Sequence, residues 1–240
     1  MTPLKALIFD VDGTLADTEE AHRRAFNEAF TATGLGWHWD RPRYRELLQV
    51  SGGKERIRHH WQQVQPDLTA LDGQAIDNTI DQIHALKNAA YERLVAQGGV
   101  QLRPGVLALI EAARQARLHL AIATTTSPVN VSALLRRALG PDWALRFTVI
   151  EDASTAPRKK PHPQVYQQTL QHLGLGPQQA VAFEDSANGL QAAHAAGLAT
   201  VVTPTAYTAH QDFSQALRVL PDLGDVTVPA LQQWHAATLH

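Results

Sequence analysis

The sequence predicts an α/β protein in which a Rossmann-like, doubly wound parallel sheet carries a small inserted domain of helices. Two observations lead to this prediction. From residue 105 onward, short apolar runs alternate with segments of helical periodicity, as in successive βα units. Residues 18–97, in contrast, show helical patterns and no strand-like run. We therefore expect an α/β core made of residues 1–16 and 98–240, and an α-helical cap domain made of residues 17–97.

Each element follows from its local pattern. The apolar run of residues 4–9 predicts the first strand, and a helix then extends from Thr18 to Gly34, a residue type that commonly ends helices. The other helices of the insert are expected at 41–50, 54–64 and 73–96. Core helices are expected at 105–116, 128–139, 163–173, 187–196 and 213–219, core strands at 118–123, 146–150, 180–183 and 199–203, and a last helix from 228 with Trp234 as its anchor.

The composition indicates an ordinary globular protein and excludes several classes of function. The chain has 240 residues, of which 44% are hydrophobic and 18% charged, and its formal net charge is -2. This balance gives no basis for a nucleic-acid or membrane-surface partner, and no apolar run has transmembrane length. Because the sequence has no cysteine, disulfides, zinc–thiolate sites and cysteine nucleophiles are excluded. We expect a cytoplasmic protein that is a monomer or a weak homodimer.

Polar side chains follow the predicted strands at the ends where open α/β sheets bind ligands. Asp10 and Asp12 follow the first strand, a run of three threonines follows the second, and Glu184 and Asp185 end a later one. Carboxylates this close repel one another unless a cation lies among them. Mg²⁺ prefers oxygen ligands and leaves coordination positions for water and a substrate phosphate. The pattern therefore predicts a magnesium-dependent site for phosphoryl transfer.

Four motifs, in this order, resemble those of the haloacid dehalogenase superfamily of phosphotransferases. They are "DVDGT" from residue 10, "ATTT" from residue 123, "KKPHP" from residue 159 and "FEDSANGLQAA" from residue 183. The resemblance covers essentially the whole chain. The helical insert is similar to the small α-helical cap of the subfamily that contains β-phosphoglucomutase and the CbbY-type sugar-bisphosphate phosphatases.

The resemblance implies a role for each motif residue. Asp10 would be the nucleophile that becomes an aspartyl phosphate, and Asp12 the general acid and base. Thr124 and Lys160 would bind the phosphoryl group, with Gly13 and Thr125 next to the substrate. The same resemblance implies that Mg²⁺ is bound by Asp10, the backbone carbonyl of Asp12, Asp185 and, from close by, Glu184.

Some of these residues also have simpler interpretations. A calcium loop starting at Asp10 would need glycine at its sixth position and glutamate at its twelfth, where the chain has Leu15 and Ala21. The threonines alone could be a strand end with a helix cap, and a lysine pair is often a solvated surface. Lys160 is preferred over Lys159 because it directly precedes proline, as in the family motif.

The insert carries the residues expected to select the substrate. The loop "VSGGKERI", residues 50–57, places Gly53, Lys54 and Arg56 at a break between helices. Lys87 and His22 match a cap lysine and a substrate-facing histidine of the resembling subfamily. Closure of the cap would exclude water, and the three cations Lys54, Arg56 and Lys87 would hold a second phosphate. The alternative for these side chains is a solvated helix surface.

The predicted function is a phosphatase acting on a small phosphorylated sugar, with a bisphosphate such as xylulose 1,5-bisphosphate as the expected substrate. The "GGKER" pattern resembles the CbbY-type phosphatases. A β-phosphoglucomutase-type mutase is the alternative, although Gly52 lies about where the mutase loop has an arginine. A dehalogenase would not need Asp12 or the metal acids. A catalytically silent sugar-phosphate-binding protein would not need to keep Asp10, Asp12, Lys160 and Asp185 together.

Overall fold

The computed structural model describes residues 3–64 and 73–238. The chain forms two compact units, one made of Met1–Asp17 and Gln101–His240 and the other of Thr18–Val100. The boundaries expected from the sequence, after residues 16 and 97, lie one and three residues before these. Among the described residues, no helix is long and apolar enough to span a membrane.

The first unit is built on a six-stranded sheet with all neighbouring strands parallel, in the order β3-β2-β1-β4-β5-β6. This arrangement confirms the predicted α/β fold, with β1 at the centre and later strands added on both sides. The strands are β1 Ala6–Phe9, β2 His119–Ala123, β3 Val149–Glu151, β4 Ala180–Glu184, β5 Ala199–Val202 and β6 Arg218–Val219.

Helices lie between successive strands from β1 to β5, as parallel pairing requires, whereas turns and bends connect β5 to β6. One face of the central strands is lined by alanines, among them Ala121, Ala123 and Ala182, and packs against helices that carry Tyr166 and Ala192. The helices described in this unit are α5 Val106–Gln115, α6 Pro128–Leu139, α7 Gln164–Leu173, α8 Ala187–Ala195 and α9 Val228–Ala237.

In its described part, residues 18–64 and 73–100, the second unit contains helices and no strand, as predicted. Its first helix buries Phe26 and Phe30 against Trp39, whose ring centroid lies 4.6 Å and 4.7 Å from theirs. Gly34 ends this segment with a φ of 72°, in the left-handed region that favours glycine. The helices are α1 Glu19–Ala32, α2 Arg41–Leu47, α3 Gly53–Val64 and α4 Gly73–Ala96.

Three local predictions need correction. The helix expected at 213–219 is wrong, because the chain turns at Asp212, whose carboxylate accepts from Ser214, and then forms the edge strand β6. The strand expected at 146–150 begins later, at Val149, after a short 3-10 helix. In α9 the predicted anchor Trp234 is half-buried, and Leu231 is the fully buried residue.

Candidate active site

The carboxyl ends of β1, β2 and β4 bring the predicted acids together. Phe9 pairs in register with Ile122 on one side and with Phe183 on the other. The residue that directly follows β1, Asp10, is therefore level with Ala123 and Glu184. The backbone N–H of Asp10 donates to the Phe183 carbonyl over 3.0 Å, which fixes its position at the rim.

Lys160 lies among these acids and is almost completely buried. Its ammonium donates to Asp10 Oδ1 at 2.6 Å, to Glu184 Oε1 at 2.7 Å and to the Ala123 carbonyl at 2.9 Å. An ammonium has three N–H donors, so these acceptors use all of them. Burial alone would lower the pKa of Lys160, but Asp10 and Glu184 raise it well above its usual value. Lys160 is therefore a permanent cation at the rim.

Asp10 has an unusual electrostatic environment for a carboxylate. Burial raises its pKa to about 7, with further upward contributions from Glu184 and Asp12. Lys160 acts in the opposite direction through its charge and its hydrogen bond. Perturbed acids of this kind are typical of functional sites, and here the perturbation has identified causes.

Asp12 and Gly13 form the turn that follows β1. Asp12 is half-buried, and the Thr126 hydroxyl donates to its Oδ2 in a short hydrogen bond. Gly13 has a φ of 78°, and a Cβ at this position would collide with the Asp185 carboxylate. This turn therefore requires glycine for two reasons, a left-handed backbone and close contact with a predicted metal ligand.

The threonine run continues the rim after β2. Thr124 is buried, and its Oγ1 accepts from the Thr126 N–H at 3.3 Å. Its own N–H donates to the Glu151 carbonyl. Thr125 is partly exposed. The structure therefore places Thr124, a predicted phosphate contact, and Thr125, predicted to lie next to the substrate, at the same rim as Asp10.

The acids are suited to a divalent cation. Asp10, Glu184 and Asp185 are all buried, and each offers a carboxylate oxygen within 4.8 Å of the others. Buried carboxylates are costly to maintain without a cation, and an all-oxygen set matches the preference of hard ions such as Mg²⁺. Of the predicted set, these three side chains converge in the structure.

Two residues near this rim were not predicted from the sequence. Tyr166, fully buried on α7, donates its hydroxyl to Glu184 Oε1 in a short hydrogen bond. Arg103 donates to four backbone carbonyls, those of Gly13, Thr203, Pro204 and Pro221. Neither residue carries a motif signal, since their partners lie far away in the sequence.

In the helical unit, His22 and Lys87 lie together. The His22 ring stacks on Tyr91 with centroids 4.1 Å apart, and the Lys87 ammonium lies 5.3 Å from the same ring and 5.2 Å from Phe26. Both His22 and Lys87 are about 95% buried, at 5% and 4% exposure. The alternative of a solvated helix surface is therefore wrong for these two residues.

The predicted substrate-binding residues Lys54 and Arg56 have polar partners within this unit. Lys54 is exposed and forms an ion pair with Asp81 at 2.7 Å. Arg56 donates to the carbonyls of Leu47 and Val50 and to the Tyr44 hydroxyl, each at 3.1 Å.

Gly53 lies against His84, a half-buried residue of α4. A Cβ at this position would lie 2.7 Å from His84 Nε2. The structure thus groups His22 with Lys87, and it gives Lys54 and Arg56 partners within their own unit.

Comparison with solved structures agrees with this description. A crystal structure of CbbY (mutant D10N) from Rhodobacter sphaeroides in complex with xylulose-(1,5)bisphosphate has a TM-score of 0.87 and 44% identity, covering 95% of this chain and 99% of that one. A β-phosphoglucomutase from Clostridium difficile has a TM-score of 0.80 at 19% identity, covering 98% of this chain and 99% of that one, which shows a shared fold alone.

Sequence comparison extends over nearly the whole chain. The chain is 51% identical over 252 residues to Protein CbbY, plasmid, of Cupriavidus necator, and the match covers 98% of each chain. It is 46% identical over 230 residues to Protein CbbY of Rhodobacter capsulatus, covering 96% of this chain and 98% of that one. Residues 4–197 match the family model of the haloacid dehalogenase-like hydrolases. The matches confirm the predicted family and support the predicted phosphatase activity: the chain belongs to the haloacid dehalogenase-like hydrolases and is a homologue of the CbbY proteins.

Proposed function

We propose that the protein is a Mg²⁺-dependent phosphatase that hydrolyses a small sugar bisphosphate, such as xylulose 1,5-bisphosphate, through an aspartyl phosphate on Asp10. The observation that carries this proposal is the buried arrangement of Asp10, Lys160 and Glu184 with Asp12 two residues from Asp10. It offers a nucleophile, a fixed cation and a second acid at one rim.

In the proposed reaction Asp10 attacks phosphorus, and the bond from phosphorus to the sugar oxygen breaks. In its ionised form Asp10 needs no general base to attack, and bound Mg²⁺ would favour that form by lowering the raised pKa of Asp10. Asp12, oriented by Thr126, gives its proton to the departing sugar alkoxide. Asp12 then takes a proton from the water that attacks the acyl phosphate, which releases inorganic phosphate and restores Asp10.

Two kinds of positive charge support this reaction. Asp10, Glu184 and Asp185 would hold Mg²⁺, which reduces the repulsion between a carboxylate nucleophile and an anionic phosphate when it is bound. Lys160 and Thr124 would contact the phosphoryl oxygens, one as a charge and one as a hydroxyl donor.

The choice of a bisphosphate rests on the helical unit and on the relatives. Lys87 is a buried cation that lies against the same Tyr91 ring as His22, and it would offer its positive charge to a second phosphate. A relative of 44% identity was crystallised with xylulose-(1,5)bisphosphate. We assign recognition of the second phosphate to Lys87 first. Arg56 acts by holding the loop through Leu47 and Val50, and Lys54 contributes from an exposed position.

The test is phosphate release from a panel containing xylulose 1,5-bisphosphate, fructose 1,6-bisphosphate and β-glucose 1-phosphate, with Mg²⁺ and with EDTA. We expect fast, Mg²⁺-dependent release from one bisphosphate and none from the Asp10→Asn variant, whose circular dichroism should match the parent. Conversion of primed β-glucose 1-phosphate to the 6-phosphate without phosphate release would instead establish the mutase. Tight binding of the panel without turnover would establish the silent binding protein.

Location in the cytoplasm and a monomeric or weakly dimeric state remain predictions. Light scattering coupled to size exclusion, at two protein concentrations, measures the second. A single concentration-independent dimer mass would contradict it.

A further inference from the structure

Tyr166 occupies a position behind the reacting groups that no motif accounts for. It lies in the first turn of α7 and is fully buried. The strand residues with which it shares a core cluster are small, including Ala121, Ala123 and Ala182. Because these alanines leave space against the sheet, a large ring fits there, and its hydroxyl reaches the end of β4.

The hydroxyl and the ring of Tyr166 contact two different members of the site. The hydroxyl donates to Glu184 Oε1, the same oxygen that accepts from Lys160. The ring lies beneath the ammonium, with Lys160 Nζ 5.1 Å from its centroid. One residue therefore holds both the acceptor of Lys160 and the cation itself.

The contact adds no charge to an acidic region. Glu184 is 1% exposed and shares this rim with Asp10 and Asp185. A neutral O–H donor stabilises a buried carboxylate, and hydrogen bonds to charged groups are among the stronger ones. Burial and the charge of Glu184 raise the pKa of Tyr166 well above its usual value, so the phenol keeps its proton.

We propose that Tyr166 is a positioning residue that fixes the Lys160 ammonium against Asp10 by holding Glu184 Oε1 and supporting the ammonium with its ring. This proposal rests on the proposed function for its catalytic consequence. Without the hydroxyl, Glu184 Oε1 keeps Lys160 as its donor but loses the group that fixes its orientation. The ammonium then has more freedom to move away from Asp10.

The variant Tyr166→Phe isolates the hydroxyl, because phenylalanine keeps the ring over Lys160 and the core packing. Thr169→Val is the matched control. Thr169 is also buried on α7, and its hydroxyl donates to the Val165 carbonyl at 2.8 Å. Each variant removes one buried hydroxyl from the same helix, and both should unfold within a few degrees of the parent.

On the best substrate of the panel, Tyr166→Phe should lower kcat about tenfold, the lower range for losing a hydrogen bond to a charged group. KM should stay within about twofold of the parent, since the buried hydroxyl does not contact the substrate. Thr169→Val should leave both constants unchanged. Equal losses of kcat in the two variants, or a rise in KM alone, would contradict a positioning role.

A second measurement does not depend on turnover. In protein labelled with ¹⁵N at lysine Nζ, the buried Lys160 ammonium should give a distinct resonance, assigned by its absence in Lys160→Gln. That resonance should move in Tyr166→Phe and stay in place in Thr169→Val. An unmoved resonance in Tyr166→Phe overturns the proposal even if the enzyme is active. A parent that releases no phosphate from the panel overturns the proposed function, while the resonance still decides the role of Tyr166.

Discussion

Removing Lys160 should destabilise the α/β unit strongly, because its ammonium is the cation that pairs with two buried acids, Asp10 and Glu184. Replacement by methionine keeps the length of the side chain and deletes the charge. Asp10 Oδ1 and Glu184 Oε1 then lose partners at 2.6 Å and 2.7 Å, and both residues are less than a tenth exposed. Deleting one partner of a buried ion pair costs about 3–5 kcal/mol, because the remaining charge stays buried.

The size of this effect makes it measurable. A loss of about 3–5 kcal/mol changes the unfolding equilibrium constant by roughly 150- to 5,000-fold. Urea denaturation followed by circular dichroism, in EDTA at pH 7.5, should show the loss. Lys159→Met is the control. That neighbouring lysine is half-buried and its ammonium donates to the Ala153 carbonyl at a long 3.4 Å, so its loss should cost less than about 1 kcal/mol.

A double variant identifies the cause. Combining Lys160→Met with Asp10→Asn removes one acid together with the cation, so the double variant should be more stable than Lys160→Met alone. Added Mg²⁺ should also reduce the loss in Lys160→Met, because binding to the folded acids stabilises that state. If Lys160→Met in EDTA were as stable as the parent, the electrostatic account of this site would be refuted.

Three further predictions follow from single side chains. Arg103→Lys keeps the charge but cannot reach four carbonyls, so thermal unfolding should show a loss of about 1–3 kcal/mol. Lys87→Ala should raise KM for the bisphosphate at least about tenfold and change KM for a monophosphate little. Because Lys54 is exposed, Lys54→Ala should have the smaller effect. Equal effects on the two substrates would contradict the assignment of Lys87 to the second phosphate. Burial and the cations Lys87 and Lys54 lower the pKa of His84 from its ordinary 6.5 to about 4 in the folded protein. As the pH falls, His84 therefore binds a proton in the unfolded chain before it does so in the folded one. The free energy of unfolding should therefore be unaffected by this proton above about pH 6.5 and should fall by up to about 3 kcal/mol toward pH 4. Urea denaturation of His84→Gln should show a weaker dependence of stability on pH.

The position of the site could be predicted from the sequence because it follows from sheet geometry. Asp10, Thr124 and Glu184 each come at the end of an apolar run, and parallel strands place those ends at one rim. No knowledge of side-chain packing is needed for that step. The helical insert could also be predicted from the sequence, because long segments with helical periodicity and no strand-like run favour helices.

The residues that support the site, Tyr166 and Arg103, could not be predicted, because their hydrogen-bond partners lie far away in the sequence. Tyr166 has the spacing of an ordinary core residue on an amphipathic helix, and its acceptor Glu184 is 18 residues away on another element. Arg103 finds its carbonyls 90 to 118 residues away. A local pattern carries no information about such contacts.

Burial of the cap cations was equally undetermined by the sequence. Lys54 and Lys87 both lie in segments with a helical sequence pattern. Lys54 is exposed and paired with Asp81, whereas Lys87 is buried against two aromatic rings. The helix expected at 213–219 failed for a related reason. Hydrogen bonds from Leu217 and Leu220 to β5 extend the sheet edge and override the helical spacing.

Lys160 shows how the predicted role and the observed contacts fit together. The sequence assigned it to the phosphoryl group, whereas the structure shows all three of its donors on Asp10, Glu184 and Ala123. A phosphoryl oxygen can therefore contact Lys160 only by replacing one of these acceptors. In the proposed reaction, Asp10 loses its negative charge when it becomes an acyl phosphate, which weakens its hold on the ammonium. Glu184, fixed by Tyr166, keeps its charge, so Lys160 can turn toward the transferred group without leaving the site.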